Sequence, residues 1–260
     1  MSGGAKRREH GLTHEKATAF GRVAADYERV RPGYPPDLID WLTERLGLRP
    51  GRVVVDLAAG TGKLTRLLVP TGADVIAVEP SDEMRHELER MVPRAKAFPG
   101  TAERIPLEDG SADAMTVAQA FHWFDVAKAA QEIGRVLRPA SPLALIWNLQ
   151  DKHDPLVAAI EVLSTRAWGG RKAFPAGEGT WEAPMRASGL FGSVEQRRFP
   201  WTHTLAKEDL VDQFGTTSAV AALSPGLRRE LMDEARAVMA AYPDPVVQSY
   251  TSHVFLCTRR

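Results

Sequence analysis

Short apolar runs alternate with amphipathic stretches along most of the chain. Residues 53–57 are Val-Val-Val-Asp-Leu, residues 73–78 repeat the form, and further runs lie at 112–120 and 142–147. Runs of this length, rich in Val, Ile and Ala and apolar at both alternating positions, predict strands buried on both faces. Between them, residues 127–137 carry a helical pattern that Arg138-Pro139 stops. The alternation of strand and helix predicts an α/β fold with a mainly parallel sheet. Before the first strand, residues 13–28 read as a helix with Ala17, Phe20, Val23, Ala24 and Tyr27 on one face. The proline-rich segment from Arg31 to Pro36 breaks it ahead of a second helix at 37–46. After the fifth strand, helices are expected at 154–168 and 181–188, a sixth strand at 193–201, two or three helices within 206–242, and a last strand at 246–258.

Candidate chemistry gathers where the first strand ends. Asp56-Leu57-Ala58-Ala59-Gly60-Thr61-Gly62 passes from a buried strand into a glycine turn, and glycine there allows positive φ and close approach of a ligand. The second strand ends in Glu79, 23 positions beyond Asp56, where an acid suits a ribose diol. A triphosphate-binding loop needs G-x-x-x-x-G-K-[ST]. Counting back from Gly62-Lys63 puts Leu57 at the first glycine and Leu64 at the hydroxyl, which excludes it. A dinucleotide turn needs a third glycine where this chain has Thr65.

The pattern acid-Leu-x-x-Gly-x-Gly resembles the first motif of the class I S-adenosylmethionine-dependent methyltransferases. The chain departs from it at Ala58, where most members carry a glycine. The resemblance continues in order through Phe98-Pro99-Gly100-Thr101-Ala102-Glu103 and the strand ending in Gln119-Ala120-Phe121-His122-Trp123-Phe124. It covers roughly residues 15–150 and is similar to the small-molecule branch called methyltransferase type 11, which includes trans-aconitate-methyltransferase-like proteins.

The resemblance implies a Rossmann-like fold in which a mainly parallel seven-stranded sheet carries helices on both faces. Residues 1–260 would form one domain, with the cofactor core at 15–150 and helical additions at 154–190 and 206–242 forming a substrate lid. It implies S-adenosyl-L-methionine as cofactor. Asp56, Ala58, Gly60 and Gly62 would meet the methionine portion, Glu79 the ribose, and Ala102 with Glu103 the adenine, with Pro80 and Gln119 also at the cofactor. Tyr27 and Arg31 would lie near the cofactor's carboxylate, for which an arginine fork is suited. A family-like lid would bring Phe214, Thr217 and Ser218 near the acceptor. His122, just past strand four, is the candidate base; the alternative, and the commoner use of such a residue, is lining of the cofactor pocket. Asn148 and Asp151 follow strand five and would orient an acceptor or cap the next helix.

Composition narrows the partners. Formal net charge is zero, so nothing draws the whole chain to a phosphate backbone. The place where DNA amino-methylating enzymes carry Asn/Asp-Pro-Pro-aromatic reads Gln119-Ala120-Phe121-His122, which disfavours base methylation. A small-molecule acceptor, a carboxylate or hydroxyl compound, is expected. Among the seven histidines and one cysteine only His10 and His14 stand four positions apart, too few ligands for a site, so no metal is expected. One cysteine, no long apolar span and a polar, basic start point to a soluble cytoplasmic protein. Two other uses stay open: non-catalytic S-adenosylmethionine binding, and nicotinamide-dependent hydride transfer.

Overall fold

The computed structural model describes residues 24–170 and 181–260. Seven strands form one sheet in the order β3-β2-β1-β4-β5-β7-β6. They are β1 (Val53–Leu57), β2 (Asp74–Val78), β3 (Lys96–Phe98), β4 (Ala114–Ala118), β5 (Pro142–Gln150), β6 (Glu195–Leu205) and β7 (Val246–Thr258). The first five are parallel to one another, whereas β7 runs antiparallel between β5 and β6. Residues on the two sides of each central strand enter different cores. Val55, Leu57, Leu143, Leu145 and Trp147 pack toward one helical layer, and Val54, Ala144 and Ile146 toward the other. That is why the runs showed no apolar–polar alternation.

The helices are α1 (Ala24–Val30), α2 (Pro36–Arg45), α3 (Thr65–Leu68), α4 (Asp82–Met91), α5 (Val126–Val136), α6 (Pro155–Ala167), α7 (Glu182–Ala187), α8 (Lys207–Gly215), α9 (Ser218–Ala221) and α10 (Pro225–Met239). α2 and α3 cover one face of the sheet, α5 and α7 the other. Helices α8 to α10 are inserted between β6 and β7 and share a third core with α6, built from residues such as Leu163, Leu210, Phe214 and Leu231.

Two expected elements shift. β5 extends three residues beyond the apolar run, so Asn148 lies inside the strand and not after it. β6 runs Glu195–Leu205 instead of 193–201; it is the edge strand, mostly solvent-facing, so polar residues such as Thr202 and Thr204 continue it without an apolar signal. Of the expected helix 13–28, the part before Ala24, with Ala17, Phe20 and Val23, lies outside the described residues. Its continuation reaches Val30, and the face it buries includes Glu28.

Candidate active site

In an open parallel sheet a ligand binds beyond the strand ends where the order reverses direction. Here that point lies between β1 and β4. Two cavities meet there, of about 390 Å³ and about 90 Å³. Tyr27, Ala58, Gly60, Gln119 and Trp123 line both. Ala58 (φ 57°) and Gln119 (φ 59°), just past β1 and β4, hold left-handed backbone without being glycine. Such strain collects at functional sites.

Asp56, next to last in β1, is 1% exposed. Its carboxylate accepts from Thr65 Oγ1 at 2.7 Å and Thr116 Oγ1 at 3.0 Å. Burial pushes its pKa up to about 6, against the pull of those bonds. Glu79 closes β2. Its two oxygens accept from the Gly60 N–H at 2.8 Å and the Ser81 N–H at 2.9 Å. A carboxylate has about four acceptor positions, so Glu79 retains capacity for a diol at the smaller cavity, which it lines with Pro80, Ser81 and Met84. Burial raises its pKa to about 7.

A Cβ on Gly60 (φ 57°) would meet nothing within 4 Å. The turn therefore borders open space that a ligand can fill. With an acid for a ribose, an apolar wall at Pro80 and Met84 for a base, and Arg31 at the larger cavity for a carboxylate, the residues fit an adenosyl amino acid.

Helix α1 is pinned from two sides. Glu28, 8% exposed, accepts from Thr61 Oγ1 at 2.6 Å and from Arg66, while Lys63 Nζ donates to its backbone carbonyl at 2.6 Å. On the other side Arg29 pairs with Asp209 and Asp212 of α8, and Gln213 Nε2 donates to the Val30 carbonyl at 3.1 Å. Arg31, over the Tyr27 ring at 5.2 Å, donates through Nε to Thr216 Oγ1 at 2.8 Å. Glu28 and Lys63 were missed in the sequence because a charged pair 35 positions apart leaves no local pattern.

His122 lines the larger cavity, in a single 3-10 turn, Phe121–Trp123. Trp147 Nε1 donates to its Nδ1 at 3.3 Å. An indole N–H only donates, so Nδ1 accepts and the ring proton sits on Nε2. Burial lowers the pKa to about 4, so the ring is neutral and presents a donor. Asn148 lines the cavity too, but its amide is committed: Nδ2 donates to the Gly33 carbonyl at 2.8 Å and Oδ1 accepts from Ser252 Oγ at 2.6 Å. It ties the proline-rich segment to the sheet. The cap of α6 is Asp154, whose Oδ1 accepts from the Leu156 N–H at 2.8 Å; Asp151 instead accepts from the His153 N–H.

Besides Asp151, three expected residues do not line either cavity. Gly62 (φ 84°) faces α4, where a Cβ would meet Leu88 at 2.9 Å and Val92 at 3.0 Å. Ala102 is buried in the core, and Glu103 accepts from the Asp125 N–H at 2.9 Å, holding the start of α5. Phe214, Thr217 and Ser218 do reach the larger cavity. Among the described residues no group of three or more His, Cys, Asp or Glu is placed to hold a metal, and no helix is long and apolar enough to cross a membrane.

A family model described as a methyltransferase domain matches residues 55–145. An uncharacterized methyltransferase of Mycobacterium tuberculosis is 38% identical over 231 residues, 88% of each chain. An uncharacterized methyltransferase-like protein of Schizosaccharomyces pombe is 35% identical over 192 residues, 74% of each chain. Among solved structures, a putative type II methyltransferase from Anaeromyxobacter dehalogenans superposes with a TM-score of 0.60 at 24% identity, covering 88% of this chain and 97% of its own. Sheet order, glycine turn, acid at the end of β2 and these likenesses lead to one assignment: the chain belongs to the class I S-adenosylmethionine-dependent methyltransferases.

Proposed function

We propose that this methyltransferase acts on a carboxylate of a small molecule held in the larger cavity. When bound, S-adenosylmethionine supplies an electrophilic methyl group on a sulfonium whose leaving group is a neutral thioether. A hydroxyl acceptor would need a base; a carboxylate is already a nucleophile at neutral pH. The observation that carries the choice is His122, neutral and with Nδ1 occupied by Trp147. As an Nε2–H donor it would orient an acceptor oxygen and take no proton from it.

The remaining roles follow the geometry. Glu79 would accept the ribose hydroxyls while Gly60 and Ser81 hold it in place. Pro80 and Met84 would flank the adenine, in the role the sequence had given to Ala102 and Glu103. Arg31, oriented by Thr216 and Tyr27, would pair with the methionine carboxylate. Helices α6 and α8 to α10 would act as a lid, excluding water and holding the reacting atoms in line. Such positioning supplies on the order of 7–11 kcal/mol of a barrier.

The test is isothermal titration with S-adenosylmethionine, S-adenosylhomocysteine and NAD, then incubation of labelled S-adenosylmethionine with panels of carboxylates, alcohols and amines. Micromolar binding of the two adenosyl compounds and base-labile methyl esters are expected. Labelled ethers or N-methyl products without esters would overturn the carboxylate reading.

A further inference from the structure

Helix α6 turns one stripe of side chains into the larger cavity. Leu156, Val157, Ile160 and Ser164, together with Trp168 at its C-cap, all line it. Opposite them stand Leu210 and Phe214 of α8 and Met239 of α10. Leu156, Leu210, Phe214 and Met239 are buried in the core that these helices share, whereas Val157 and Ile160 are only half-buried. An apolar side chain left facing a cavity forfeits the contacts that a packed neighbour gives. On the sheet side the cavity is lined by polar groups, Arg31 just past α1 and Lys63, Gln119, His122 and Gln150 at or beyond the strand ends. The helices add Ser164, Gln213, Thr217 and Ser218, of which Gln213 Nε2 and Thr217 Oγ1 donate to the carbonyls of Val30 and Phe214. Between α6 and helices α8 and α10 the wall is thus mainly apolar.

We propose that the acceptor is amphipathic, with a hydrocarbon chain or ring lying between α6 and helices α8 and α10 and its methylated end at His122. The position of the polar end rests on the carboxylate reading; the apolar compartment does not. An occupant of this kind would complete the packing of Val157 and Ile160, and each added methylene would contribute about 0.8 kcal/mol, roughly a four-fold gain in affinity. A small polycarboxylate would leave that wall unfilled.

The test titrates the protein, saturated with S-adenosylhomocysteine, with straight-chain acids from butanoate to dodecanoate and with citrate, and measures methyl-ester formation in parallel. Affinity is expected to rise about four-fold per methylene until the compartment is filled. In Ile160→Asn that slope should flatten while S-adenosylhomocysteine affinity, a check on folding, is kept. Chain-length-independent binding, citrate binding more tightly than octanoate, or an unchanged slope in the variant would each overturn the proposal. A steep slope without ester would uphold the apolar compartment and refute the carboxylate reading.

Discussion

The hydroxyl of Thr61, in the glycine turn, lies 2.6 Å from the carboxylate of Glu28, on the helix that precedes the sheet. This bond joins the turn to α1, and α1 in turn is bound to α8 by Arg29. Glu28→Ala removes the carboxylate that accepts from Thr61 and Arg66 and lies 3.8 Å from Lys63, while the backbone carbonyl that accepts from Lys63 remains. We expect it to destabilise the fold by about 1–3 kcal/mol, as for loss of charged hydrogen bonds, and to weaken S-adenosylhomocysteine binding at least ten-fold. Thermal unfolding with and without ligand checks both.

Gly60 and Gly62 differ in what surrounds them, so the same substitution should fail in two ways. Gly62→Ala places a methyl 2.9 Å from Leu88 at φ 84°. It should destabilise the fold by about 1–3 kcal/mol and leave cofactor affinity of the folded fraction near normal. Gly60→Ala meets no protein atom, so it should lose only about 1–2 kcal/mol to left-handed strain while obstructing the ligand. Chemical denaturation and cofactor titration separate the two.

Ala58 occupies a left-handed position, φ 57°, where glycine is unstrained. Ala58→Gly should stabilise the protein by about 1 kcal/mol, because relief of strain exceeds the added freedom of the unfolded chain. A lower unfolding midpoint in urea for the variant would contradict this.

Burial raises Glu79 to about 7 and Asp56 to about 6. A carboxyl whose folded pKa is raised contributes stability that is complete below its unfolded pKa and lost as pH rises through the folded one. For Glu79 the window is about pH 4.5 to 7. His122, lowered to about 4, acts in the opposite sense, losing stability as pH falls from about 6.5 toward 4. Comparison with Glu79→Gln isolates the carboxyl: the variant's melting temperature should gain on the wild type between pH 5 and pH 8. Cofactor affinity of the wild type should rise over the same span, since a ribose diol donates to the anion.

A general base usually contributes 10²–10⁴-fold. If His122 acts as a neutral donor, His122→Asn, which keeps an acceptor for the Trp147 indole, should lower kcat by about ten-fold or less. The kcat of the wild type should be flat from pH 6 to pH 9. A bell or a sigmoid with a midpoint near 7, removed by the substitution, would restore the base assignment.

Much of the scaffold was legible because its signals are local. The Val-rich run before the glycine turn and the acid closing β2 each lie within a few residues, and the limits of β7 matched the expected 246–258. What was not legible depends on partners distant in sequence. Asn148 is committed by Gly33 and Ser252, 115 and 104 positions away, so a polar side chain near a strand end looked free to act. Gly62 resembles Gly60 in sequence, but Leu88 of α4 and Val92 at its C-cap pack beside it. Ala102 and Glu103 follow β3 as the motif order requires, yet the fold spends them on the core and on α5.

The helices between β6 and β7 leave and rejoin the sheet at paired residues, Leu205 opposite Val246. Their two ends are therefore neighbours, and exchanging what lies between them asks nothing of the pairing of β1 and β2, provided Asp209, Asp212, Gln213 and Thr216, which hold α1 and Arg31, are kept. If these helices form the acceptor wall, chains descended from a common ancestor can vary the rest of the segment and change what is methylated while the donor site stays as it is. Divergence of acceptor among relatives should then concentrate between residues 206 and 245, together with the facing side of α6.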